Sequence, residues 1–516
     1  MARLIAHAAL LINLWSLSAL LIALAPAQRS KAQTPSAQSG SAAPLYENAL
    51  VDVEGLGAIA FPNSGAREAQ DSFLRGVLFL HSFEYDQAAE AFREAQALDP
   101  DFALAYWGEA MTYNHPLWRW YDRDRGWAAL ARLAPTPEAR RQKASTGREG
   151  LYLDAVETLF SFEGPKPERD RAYMEAMRRL HEAYPEDDEA RAFYALSILG
   201  STDGARDFAT YVWGAATALP VFDRNPRHPG AAHYVIHSFD DPIHAPLGLP
   251  AANAYADIAP DAAHAQHMTS HIFVALGLWE RTVAANIRAR DTQDAERARR
   301  GLGPNVCGHY SSWLHYGYLQ LGETEHAEGL MERCHERVQG EASVGEWEYF
   351  ASMRARHVVD TEDWALTERW TVPPDRLPDG QGGWGYGAAS LKYRITDALS
   401  GLHLGDDTAA RALLGVPRPE SPGAAFQIDQ LAGLLAVREG KTEEGLALLK
   451  RAAEAEDALP LEYGPPEPVT PAYELLGKTL HELGREEEAE AAFRRAVERT
   501  PGRLLPVDGL AEVRGR

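Results

Sequence analysis

Small and large apolar residues alternate with polar ones in an order that returns every 34 residues, which predicts paired helices rather than strands. The clearest stretch is 470–503, where Tyr473, Leu476, Gly477, Leu480 and Gly484 are followed by Ala489, Phe493, Ala496 and Pro501. Spacings of three and four put each set on one helix face. Gly477 lets two helices approach closely, Gly484 ends the first helix, and Pro501 stops the second. The same order runs through 69–102, with Gly76, Phe79, Ala88, Phe92, Ala95 and Pro100. It returns in 308–341 through Leu314, Tyr318, Gly322, Ala327 and Met331, and more loosely in 426–459 through Gly433, Gly440, Leu449 and Ala452. Two central units, 229–262 and 263–296, abut at the same period, and 151–185, 188–228, 346–370 and 386–414 read as degenerate pairs. The total is roughly eleven helix pairs, each too small to bury its apolar face alone, so stacking them makes the core.

This order resembles the tetratricopeptide repeat. The resemblance implies an all-α solenoid over 67–516 with a concave inner groove, and binding of a protein or peptide segment in that groove. Asn114 to Trp118, His233 to His237 and His264 to Phe273 are similar to motifs of an exported bacterial subset of the family, which supplies a fold and no reaction.

Upstream, Arg3 precedes an apolar run to about Leu24, and Ala25-Pro26-Ala27 offers small residues for a signal peptidase. Residues 1–27 are therefore expected to be a signal peptide cut before Gln28, with an uncleaved anchor as the alternative, and the chain is expected in the periplasm or outside the cell. The stretch 28–66 opens rich in Ser, Ala, Gln and Pro and is expected to be a flexible linker. No later run is long and apolar enough to span a bilayer. A formal net charge of −23 argues against nucleic acid as a partner, because phosphate needs a basic face. The Gly-rich run 380–385 follows prolines rather than a strand and reads as a loop, not a phosphate cradle.

Histidine changes the picture. Of 18 histidines, seven lie between His228 and His271. His233 and His267 are 34 residues apart, as are His237 and His271, and within each helix the pair is four apart on one face. In the family that this chain resembles, the second, fifth, ninth, twelfth and thirteenth residues of a unit line the groove. His233 and His267 take the fifth place, His237 and His271 the ninth, His264 and His309 the second, and Asp240 and Asp241 the twelfth and thirteenth. His81 and His115 share the thirteenth place further upstream. Neighbours four apart on a helix are about 6 Å apart and packed axes about 8–10 Å, so two to four imidazoles can reach one ion. The expected ligands are His233, His237, His267, His271, His264 and Asp240, with Asp241, His309, His115 and Glu109 as groove or supporting residues. Nitrogen-rich ligation suits zinc, copper, iron or nickel.

Asn114, His115 and Pro116 are expected at the tip of a helix, with Trp118, Trp120 and Trp127 either capping the groove or filling a gap left by a degenerate repeat. Cys307 and Cys334 fall at adjacent ends of a helical hairpin, where a disulfide is allowed; two buried small residues are the alternative. There is no HExxH and no Gly-x-Ser-x-Gly elbow. Three readings stand: a binding scaffold with a histidine-held metal, a metal-dependent enzyme with an open coordination position, and a metal-free interaction module.

Overall fold

A computed structural model describes residues 49–161, 163–202, 206–373, 388–461 and 463–515. The expected signal peptide and the Gly-rich run 380–385 lie outside these residues. The described residues hold 24 α-helices and two small antiparallel hairpins, and none of the helices is long and apolar enough to cross a membrane.

Helices pack in chain order, the first of each pair on the second and the second on the next pair. The reason is visible in the side chains. A Cβ built on Gly76 would meet the Phe92 ring at 2.8 Å, and one on Gly477 would meet Phe493 at 2.7 Å, so the missing side chain in one helix makes room for an aromatic from its partner. Between the helices Ala472–Glu482 and Glu486–Arg499 the chain turns at Gly484, whose φ of +72° suits glycine. The core is accordingly a series of overlapping apolar clusters, from Leu56–Ile198 at one end to Phe426–Phe493 at the other, as stacked pairs require. The architecture is an all-α solenoid of helix pairs.

Two segments depart from expectation. Residues from 51 on, inside the stretch expected as linker, form a hairpin in which Val51–Val53 pairs with Gly57–Ile59. Leu56, Ile59 and Phe61 are buried, and the hairpin is tied to distant chain: Ala58 N donates to the Arg227 carbonyl at 2.9 Å, and Asp261 N to the Gly55 carbonyl at 3.0 Å. Apolar burial and backbone pairing anchor what composition suggested would be free. Secondly, the helix Ala103–Met111 ends three residues before Asn114, and Asn114–His115 pairs with Trp120–Tyr121 instead of forming the helix tip.

The far end of the solenoid returns to its middle. Trp279 Nε1 donates to the Gly502 carbonyl at 2.6 Å, and the buried Arg503 guanidinium pairs with Asp360 at 2.5 Å and Glu474 at 2.6 Å. Residues 463–471, rich in proline, cross the inner face between the last two pairs: the Pro466 carbonyl accepts from Arg356 at 3.2 Å, and Gly464 lies against Trp313. Cys307 and Cys334 are joined by a disulfide that ties the start of the helix His309–Gln320 to the helix Thr324–Val338.

Candidate metal centre

Three first helices of consecutive pairs carry the histidines. The helix Pro229–Phe239 begins with proline at a position that needs no N–H donor, and His228 caps it, its Nδ1 accepting from Ala231 N at 3.1 Å. The helix Ala263–Ala275 is held at its start by Glu84 from a distant pair, whose carboxylate accepts from His264 N at 2.8 Å. Every residue of both helices is buried, because outer helices cover one side and neighbouring inner helices and aromatics the other. Polar side chains on such helices must find partners within the protein.

The structure sorts six of these imidazoles into two sets of three. One nitrogen from each of His233, His237 and His264 lies within 4.8 Å of the others, and so for His267, His271 and His309. In the first set the Nε2 atoms of all three rings are buried and meet no hydrogen-bond partner. Two of these rings are held at the other nitrogen: His233 Nδ1 meets the His81 carbonyl at 2.7 Å, and His237 Nδ1 meets Asp240 Oδ2 at 3.3 Å. In the second set Nε2 of His267 is 3.1 Å from Nε2 of His271 and 2.9 Å from Nε2 of His309. Here too Nδ1 is anchored, on Asn286 Oδ1 at 2.7 Å for His267, on Asp240 Oδ2 at 2.9 Å for His271 and on the Tyr349 hydroxyl at 3.3 Å for His309.

Asp240, expected as an oxygen ligand, thus bridges the two sets from behind through the Nδ1 atoms of His237 and His271. It also pairs with Arg206, which reaches Asp241 at 3.1 Å. Asp241 in turn accepts from His244 Nδ1 at 3.0 Å and caps the turn at Ile243 and His244, so it supports rather than faces the histidines. His309, expected in a supporting role, joins the second set directly. Burial first, and then mainly neighbouring rings, hold His237, His264, His267 and His271 well below the ordinary imidazole range. Burial pushes His233 down to about 3, and burial with nearby Arg356 pushes His309 to about 4. Six neutral imidazoles therefore each offer a lone pair.

Aromatic rings wall the site. Phe83 sits on His233 at 4.2 Å between ring centres, from a backbone held at φ +56°, a conformation seldom adopted without a local reason. Trp313 stacks on His271 at 4.6 Å, Tyr463 of the crossing segment stacks on the same ring at 5.0 Å, and Trp118 approaches His264 at 5.5 Å. A cleft of about 480 Å³ opens beside the histidines, lined by Asp240, Trp279, Tyr316, Phe426 and Pro466.

Other expected residues lie elsewhere. His115 stacks on Tyr85 at 3.7 Å and meets Trp120 at a tilt at 4.4 Å, in the hairpin rather than with the ligand sets. Glu109 faces away: its carboxylate is taken by Arg93 at 3.0 Å, Gln96 at 2.7 Å and Arg132, which leaves no free base. One group was missed. Glu189 meets His81 Nε2 at 2.7 Å and His228 Nε2 at 3.1 Å, all three buried. Burial alone would raise the Glu189 carboxyl, but the charge and hydrogen bonds of His228 and His81 outweigh it and hold it at about 2. The ring of His81 is thereby fixed, and with it the carbonyl that orients His233. No spacing in the sequence joins Glu189 to these histidines.

Residues 470–503 match the family profile of the tetratricopeptide repeat. No curated protein matches the sequence. Among solved structures, the chain is similar to the human IFIT1 dimer with m7Gppp-AAAA at 14% identity and a TM-score of 0.36, over 83% of this chain and 89% of that one. It is similar to the APC/C hetero-tetramer Cut9-Hcn1 at 12% identity and 0.35, over 86% and 76%, and to yeast Tom70 at 10% identity and 0.32, over 87% and 89%. Residues 470–503 are a tetratricopeptide repeat, and the solenoid they close is built of helix pairs on the same plan.

Proposed function

We propose that the chain is an exported scaffold of the tetratricopeptide type whose inner face holds a transition metal (zinc, copper or iron) on imidazoles and presents a groove to a protein or peptide segment. The observation that carries the metal reading is the grouping of His233, His237 and His264, one nitrogen of each within 4.8 Å of the others and the Nε2 atoms of all three buried without a partner. Leaving such an atom unmatched costs roughly 1–3 kcal/mol, so three in one cluster call for a common partner. Anchored Nδ1 atoms support the same reading, because a ligating imidazole ordinarily has its far nitrogen held. A metal-dependent enzyme is the second reading. It is favoured by sets of three protein ligands, the number that leaves a catalytic metal site one coordination position open. Groove binding has a boundary: the crossing segment 463–471 already covers part of the inner face near His271, so a partner segment would lie beyond it or displace it.

Elemental analysis of the mature protein, exported in its host and purified without a histidine tag, tests the reading. A stoichiometric transition metal is expected, lost in the His233→Ala/His267→Ala variant and kept in His326→Ala, whose ring is exposed and pairs with Glu323. Equal metal in all three proteins, or none in the folded parent, overturns it.

A further inference from the structure

We infer that the six histidines hold two copper ions in the cuprous state, one on each set of three, rather than a single shared ion. The inference rests on the reading above that these imidazoles are ligands and adds number, oxidation state and element.

Geometry sets the number. Two nitrogens on one ion, at bonds of about 2.0–2.1 Å, lie at most about 4.2 Å apart. In the second set Nε2 of His267 lies this close to Nε2 of both His271 and His309, and in the first set one nitrogen of each ring lies within 4.8 Å of the others; among the described residues the group that draws on both sets, His237 with Asp240 and His271, brings together two imidazoles only. The sets are nonetheless neighbours, with ring centres 5.3 Å apart for His237 and His271 and 5.9 Å for His264 and His267. One ion would satisfy one set and leave the other facing itself.

The second set cannot stand alone. Asn286 Nδ2 donates to the Thr282 carbonyl at 2.9 Å, which turns Oδ1 toward His267 and puts the ring proton on its Nδ1. Asp240 does the same for His271. The remaining Nε2 lone pairs of these two rings then point at each other across 3.1 Å with no proton between them. Two acceptors at that distance repel until a cation joins them.

Charge and ligand type set the element. Both sets consist of imidazole only, and the carboxylates behind them, Asp240 and Asp241, share Arg206, leaving about one negative charge. Two divalent ions would bring four positive charges among these largely buried rings, whereas two cuprous ions bring two. Three neutral imidazoles also satisfy a cuprous ion without a fourth ligand, and imidazole is a ligand type that suits copper.

The test is an anaerobic titration of the metal-stripped full chain with Cu(I) in the presence of a chromogenic competing chelator. Two equivalents are expected, with one equivalent in His264→Ala, one in His309→Ala and none in the double variant. Parent stoichiometry decides without the variants: one equivalent overturns the two-ion inference and leaves the imidazole site standing. No copper but two zinc ions overturns the copper assignment, and no metal of any kind overturns the site itself.

Discussion

Replacing Cys307 and Cys334 together by alanine removes the one covalent constraint found among the described residues. The bridge closes a loop of 27 residues. Loop-closure entropy for that length amounts to about 3.5 kcal/mol at 25 °C, and the two buried sulfurs add about 1 kcal/mol each of lost packing. Both cysteines sit in one apolar cluster with Trp347 and Leu314, so tryptophan emission follows the same region that the bridge restrains. Urea denaturation of the oxidised parent and of Cys307→Ala/Cys334→Ala, read by fluorescence, is expected to differ by about 3.5–5.5 kcal/mol in that transition. A thiol count on the denatured, unreduced parent should find none free. His309 lies two residues from Cys307, so the variant is also expected to lose metal from the set containing His309 before the other. A difference below about 1 kcal/mol with the bridge verified would refute the account, because the helix pair would then be held as firmly by packing alone.

Asp240→Ala removes the acceptor behind His237 and His271 and should weaken metal binding by about 10–100-fold in a chelator competition; a change under about threefold would count against its role. Gly464→Ala puts a methyl 2.4 Å from Trp313 at a φ of +88°, a conformation that costs other residues about 1–2 kcal/mol, so proteolytic cleavage within 463–471 should speed up. His315 and His357 form a buried pair at 3.1 Å, and burial holds the first well below 6.5 and the second at about 4. The unfolded chain takes up protons from about pH 6.5 downward while the folded pair does not, so this stability is full above 6.5 and is lost as pH falls toward 4. Thermal melts of metal-free protein between pH 7 and 4.5 should show a steeper fall for the parent than for His357→Phe; equal slopes would exclude the pair as a source. Arg503→Ala strands Asp360 and Glu474 without their buried cation and should cost about 3–5 kcal/mol by urea denaturation.

Helix pairs were legible because their signal is local and repeated. A glycine facing a phenylalanine at the same offset, as in Gly76 with Phe92 and Gly477 with Phe493, declares a close helix approach in the sequence itself. The hairpin Val51–Ile59 was not, since strands of three residues carry no period and their anchors, Arg227 and Asp261, lie far along the chain. The histidine register placed His233, His237, His264, His267 and His271 on one inner wall. Their division into threes depends on how far each helix is shifted along its neighbour, and register does not contain that quantity. His81 and His115 show the same limit: equivalent in period, one meets Glu189 and the other stacks in a hairpin inserted after its helix. Glu109 was expected among the groove or supporting residues, but its partners Arg93 and Arg132 come from neighbouring helices.

The bond from Trp279 to Gly502, where the two backbones touch at Gly277 and Gly502, bears on how this array can change in length. A linear array of repeats holds itself together through nearest neighbours, and units can be added, lost or unravelled at its ends one at a time. Here the final repeat has a second neighbour more than two hundred residues earlier. Inserting or deleting one helix pair between them would carry Gly502 away from Trp279 and Arg503 away from Asp360. The number of pairs in this half of the chain is therefore set by closure, and its end should resist fraying in hydrogen exchange as firmly as its middle.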